Sequence, residues 1–135
     1  MNLSNHFNRQ RNMKTTIQWD ANYNGVHILT DTGLSLIVSG QPSMVMSWHD
    51  AVRFYKDNKV WQLPTREHLK LIAEHIHEVN ALIKANGGYE IRGWHWTADE
   101  YDEFCAWLVL MDGGGTDNLN KSLNYYVRAV SAFQN

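Results

Sequence analysis

The 135-residue chain holds 44% hydrophobic and 19% charged residues, a balance that excludes a disordered polymer and suits one domain with its own core. Twelve Lys and Arg stand against fourteen Asp and Glu, scattered without a basic stripe, which excludes an electrostatic nucleic-acid footprint. One cysteine excludes an intramolecular disulfide, and no apolar run reaches membrane-spanning length, so no membrane partner is expected.

Residues 1–12 are polar and Asn-rich, which predicts a flexible N-terminal arm ahead of a single domain over 13–135. That arm lacks the apolar stretch of a secretory signal, favouring a virion or cytoplasmic setting. Two β-rich runs, 26–30 and 34–39, flank Asp31-Thr32-Gly33 and predict a hairpin. Ser47, with Asp50 three residues on, predicts a capped helix to about residue 57, with Trp48, Val52 and Tyr55 on its inner face. Pro64 favours an extended residue before it, and Thr65 suits the cap of the next helix. Leu69, Ile72, Ala73, Ile76, Val79, Leu82 and Ile83 then recur at helical spacing. Both one helix over 66–85 and two helices broken near 75–77 fit that spacing. Asn86-Gly87-Gly88 ends it, because glycine accepts the left-handed conformation.

Beyond Gly93 the pattern turns to β, predicting strands at 94–97, 106–111 and 125–133. Residues 112–115 read as a flexible connection and 116–124 as a polar loop. Hairpin, helices and strands are segregated, which predicts an α+β fold: two or more helices packed on a small twisted antiparallel sheet.

Several spaced motifs carry a resemblance. They are Trp61-Gln62-Leu63-Pro64-Thr65-Arg66-Glu67, the helix end at Asn86-Gly87-Gly88, Trp96-Thr97-Ala98-Asp99-Glu100-Tyr101, Ala106-Trp107, and Tyr126-Val127-Arg128-Ala129-Val130. In this order, over about residues 44–133, the chain resembles the Lcl C-terminal-domain family. That family lies within the C-type-lectin-like and formylglycine-generating-enzyme-like folds, and the chain is also similar to retroelement-diversified variable proteins. The resemblance implies a lectin-like fold whose last strands and loops present a binding face, as in adhesins, surface proteins and phage receptor-binding proteins. Two departures matter. The enzyme branch needs a pair of cysteines where this chain has one, and Gln41-Pro42-Ser43 is a poor match to a calcium-binding lectin loop. No cofactor and no metal are therefore expected.

Under this resemblance the ligand face comprises Trp94, His95, Asp99, Glu100, Tyr101, Asp117, Asn118, Asn120, Asn124 and Tyr125. Tyr suits recognition as rigid amphipathic area, and Asn as an adaptable hydrogen-bonding group. Trp61, Pro64, Glu67, Trp96, Trp107 and Arg128 are expected to be structural, with Glu67 or Glu100 as the carboxylate partner of a buried Arg128. His68, His75 and His77 with their neighbouring glutamates lack the spacing of a metal-binding helix and read as its polar face. Cys105 reads as a buried, inert thiol. Period two puts Trp107, Val109 and Met111 on one side of a strand and Leu108 and Leu110 on the other, so both sides need cover. The chain's own arm or hairpin would provide it; otherwise Leu108 and Leu110 form a docking face for a homo-oligomer or larger assembly. The functional expectation is a non-enzymatic recognition module for a receptor, glycan or protein, as a phage or surface-assembly component. The alternatives are a structural virion subunit without an external ligand, and an enzyme of the formylglycine-generating-enzyme-like fold.

Overall fold

A computed structural model describes residues 14–134, and the arm expected at 1–12 lies outside the described residues. The hairpin forms as its turn chemistry dictates. Strands β2 (Gly25–Thr30) and β3 (Leu34–Ser39) pair antiparallel, and Gly33, at φ 95°, donates its N–H to Thr30 O at 3.1 Å. Val26 faces Val38 and Ile28 faces Leu36 across the ladder, and all four are fully buried. Strand β1 (Thr15–Asp20) pairs on β2, and β9 (Val130–Gln134) pairs on β3, giving a four-stranded sheet of order β1-β2-β3-β9.

Helix α1 (Trp48–Tyr55) starts at Ser47, whose hydroxyl accepts from the Asp50 N–H at 3.3 Å. It ends two residues before the expected position and buries Trp48, Ala51 and Tyr55. Val52 is 39% exposed, a correction to the expected inner face: it lies on the flank of the stripe that Trp48, Ala51 and Tyr55 define. The long amphipathic stretch is two helices, α2 (Arg66–Glu74) and α3 (Ile76–Ala85). They break at His75, whose φ −115° and ψ 27° leave the helical region. Leu69, Ile72 and Ala73 of α2 and Val79 and Ile83 of α3 are buried. At the far end Gly87 takes φ 77° and Gly88 N–H returns to Ile83 O at 2.9 Å, closing the helix as its glycines predict.

A second, five-stranded sheet has the order β4-β8-β5-β6-β7. Its strands are β4 (Met44–Met46), β5 (Trp94–Glu100), β6 (Cys105–Leu110), β7 (Thr116–Asn120) and β8 (Tyr125–Val127). Two expectations are corrected here. The flexible connection and polar loop are a tight turn and an edge strand: Gly113 and Gly114 take positive φ, and Gly114 N–H bonds back to Leu110 O at 2.9 Å. The run 125–133 is two strands in different sheets, with the crossing at Arg128-Ala129. The single antiparallel sheet is thus two sheets, joined with helices in an α+β fold, and β5 and β8 run parallel.

Strand β6 is covered on both sides. Val109 and Met111 enter a core formed by the first sheet with α2 and α3. Ala106 and Leu108 enter another with Trp48, Ala51 and Tyr55 of α1, Leu63, Trp96 and Val127. Leu108 is fully buried and Leu110 half-buried, so docking through Leu108 is corrected: Leu108 lies in the core that α1 shares with Leu63, Trp96 and Val127. No helix among the described residues is long and apolar enough to cross a membrane.

Arg128 sits where the chain passes between sheets, 1% exposed. Its guanidinium donates to Ser43 Oγ at 3.0 Å, Ser39 O at 2.8 Å and Glu90 O at 3.0 Å. The expected carboxylate partners are corrected: Glu67 is exposed on α2, and Glu100 pairs with Lys121 Nζ at 2.7 Å. Two backbone carbonyls and the Ser43 hydroxyl take three of its N–H groups in their place, tying the ends of β3 and of the segment after α3 to the crossing.

Candidate functional site

The end of β5, the first turn of α2 and Trp107 of β6 meet in an open cleft of about 760 Å³, to which β3 contributes Leu34. Thr65 builds one wall. Its hydroxyl accepts from His68 N–H at 3.1 Å while His68 Nδ1 accepts from Thr65 N–H at 3.1 Å, a reciprocal cap that starts α2. Asp99 Oδ2 takes the next free amide, Arg66 N–H, at 2.7 Å, placing a carboxylate at the positive end of the helix. Asp99 is held in turn: its N–H donates to Thr97 Oγ1 at 3.1 Å, and that hydroxyl donates to Trp107 O at 2.9 Å.

The floor is aromatic. Arg66 stacks its guanidinium over the Trp107 ring, 3.8 Å from the centroid, and Tyr101 meets the ring edge-on at 5.3 Å. Lys70, Glu67 and Glu100 complete the charged rim, so two cations face three carboxylates. Burial lowers the pKa of His68, opposed by Asp99 and Glu67. With Nδ1 accepting, the neutral ring keeps its proton on Nε2 as a donor. The arrangement offers donors, acceptors and an aromatic surface, as a hydroxyl-rich or polar ligand requires.

The expected ligand residues do not form one surface. Asp99 and Glu100 line the cleft, and Tyr101 packs on its Trp107 floor. Asn118 lies opposite Trp107 in the β6–β7 register and Asn120 opposite Cys105, on the same side of the sheet. Asp117, opposite Leu108, is on the reverse side. Trp94 is half-buried opposite Leu110 at the other end of β5, Tyr125 packs edge-on against Trp96, and Asn124 is exposed beside it. Cys105 is only half-buried, a correction to the fully buried thiol.

His95 is the clearest correction, because it is fully buried. Ser43 Oγ accepts from Arg128 Nε, so its own proton goes to His95 Nε2 at 2.7 Å. His95 then carries its proton on Nδ1, facing Gly93 O at 3.2 Å. Burial drives its pKa down to about 4, with the Arg128 charge adding to the drop. The Ser43–His95 contact has the spacing of a nucleophile and its base, but so weak a base is a poor proton acceptor near neutral pH. Its role is to tie β5 to the loop before β4.

Sequence reasoning missed Arg66, Lys121 and Ser43. Lys121 is buried, reaching Glu100, Glu103 O at 3.0 Å and the face of Trp48 at 4.7 Å. Nothing in its polar surroundings marks it as interior. The three helix histidines do not converge: His68 caps α2, His75 marks the break, and His77 is exposed. Among the described residues no group of His, Cys, Asp or Glu is placed to hold a metal ion. Comparison with protein-family models gave no match, and a search of curated proteins found no significant similarity.

Proposed function

We propose that this domain is a non-enzymatic recognition module that binds a polar partner, a glycan or a protein, in the cleft at Trp107. The observation that carries the reading is a set of ligand-facing groups already engaged by the fold. Asp99 holds an α2 amide, His68 completes a helix cap, Arg66 stacks on Trp107 and Glu100 pairs with Lys121. Such groups lose little freedom on binding, which favours affinity. The same engagements tie up Asp99, His68 and Glu100, which supports binding over catalysis. The lectin-like architecture and a place in a phage or surface assembly rest on the motif order from Trp61 to Val130.

Glycan-array screening followed by calorimetry tests this reading. Tyr101→Ala and Asn118→Ala are expected to weaken the bound ligand about tenfold, consistent with loss of one or two good contacts, at unchanged circular dichroism. Binding that both variants leave intact would place the ligand elsewhere. A protein that self-assembles and retains no glycan or cell-surface ligand would instead be the structural subunit.

A further inference from the structure

A second cavity lies away from the Trp107 cleft, between α1, the loop after β3 and the sheet crossing. It measures about 380 Å³, and Pro42, Met44, Phe54, Tyr55, Trp61 and Arg128 are among the residues lining it. Its walls are mainly apolar and aromatic, and Phe54 stands 58% exposed at the protein surface.

Arg128 gives this cavity its chemistry. A guanidinium has five N–H donors, and three are engaged by Ser43 Oγ, Ser39 O and Glu90 O, all neutral acceptors. One N–H on each terminal nitrogen has no partner among the described residues, and no carboxylate forms an ion pair with the group. A buried cation without an anion is costly, and burial lowers its pKa to about 10, which still leaves it charged at neutral pH. Tyr55 lines the same cavity, close enough for the Arg128 charge to bear on its hydroxyl. Burial raises the Tyr55 pKa and keeps that hydroxyl a neutral donor, with no partner among the described residues.

The geometry points to a binding pocket for a small organic carboxylate with an aromatic or branched apolar body. The carboxylate accepts from Arg128 and Tyr55, and the body packs against Phe54, Trp61 and Met44. The volume, at the low end for ligand sites, fits one ring on a short acid arm. A free aryl-alkanoic acid and a peptide ending in phenylalanine present this same chemistry.

Calorimetry and Trp61-sensitive fluorescence on the full chain test it with four probes: 3-phenylpropanoate, 3-phenylpropanamide, and a short peptide ending in Phe with a free or an amidated terminus. At least one acid is expected to bind ten or more times tighter than its amide. Free-acid binding assigns a small-molecule source, and peptide-only binding assigns a protein terminus; either supports the pocket. Phe54→Ala and Tyr55→Phe should each weaken the acid at least threefold, whereas Tyr101→Ala in the Trp107 cleft should not. Arg128→Gln endangers the fold, so those two variants carry the test. Equal affinity for acid and amide, or no response to any probe at millimolar concentration, overturns the proposal.

Discussion

Ser43 links Arg128 to His95, accepting from Arg128 Nε and donating to His95 Nε2, and the pH response of this cluster follows from the burial of His95. The His95 pKa falls from 6.5 to about 4 on folding, so between these values the unfolded chain holds the proton and the folded chain does not. Stability is therefore greatest above pH 6.5 and falls on acidification toward pH 4, by roughly 3 kcal/mol from this group. Urea unfolding at pH 7.0 and 4.5 checks it. The loss in the wild type should exceed that in His95→Asn, and equal losses in the two proteins would remove His95 as the cause.

At the scale of elements, the start of α2 does double duty. Thr65 and His68 cap the helix, and the same turn presents Arg66 to Trp107 and to Asp99. Thr65→Ala should cost about 1 kcal/mol, the usual loss for an N-cap hydroxyl, while Thr65→Ser should restore most of it. The midpoints of urea unfolding for the two variants decide the matter. If alanine and serine behave alike, the hydroxyl is not what holds this helix end. The break at His75 is also an element-scale outcome: the apolar spacing continues through it, with Ile72 and Ala73 buried before it, Ile76 partly buried, and Val79 and Ile83 buried after it.

For the whole molecule, β6 is the shared wall of two cores. Leu108 lies among α1, Trp96 and Val127, so Leu108→Ala removes buried volume from the interior and should destabilise by about 2–5 kcal/mol. Light scattering should show no change in assembly state. A variant that keeps its melting temperature but loses an oligomer would reinstate a docking role for this strand. Because both cores press on β6, fluorescence and circular dichroism should report one coincident transition for this substitution.

Local signals were legible wherever neighbouring residues decide the structure. The β2–β3 hairpin, the caps at Ser47 and Thr65, the glycine stop after α3 and the α+β class all follow from turn chemistry, capping and apolar period. The residues around the cleft were half legible: Asp99, Glu100 and Tyr101, named from the sequence, meet there, while Arg66 was not named, because a helix-start arginine looks like any solvated cation. What only tertiary structure decided are events between distant segments. A period-two pattern is the same in either sheet, so nothing in 125–133 announces the crossing at Arg128. Burial of a polar group depends on partners far along the chain, which is why His95 and Lys121 read as surface and lie inside. The apolar side at Leu108 was legible as one needing cover, but placing α1 in its core required the packed fold, since pattern fixes which side is apolar and not what lies against it.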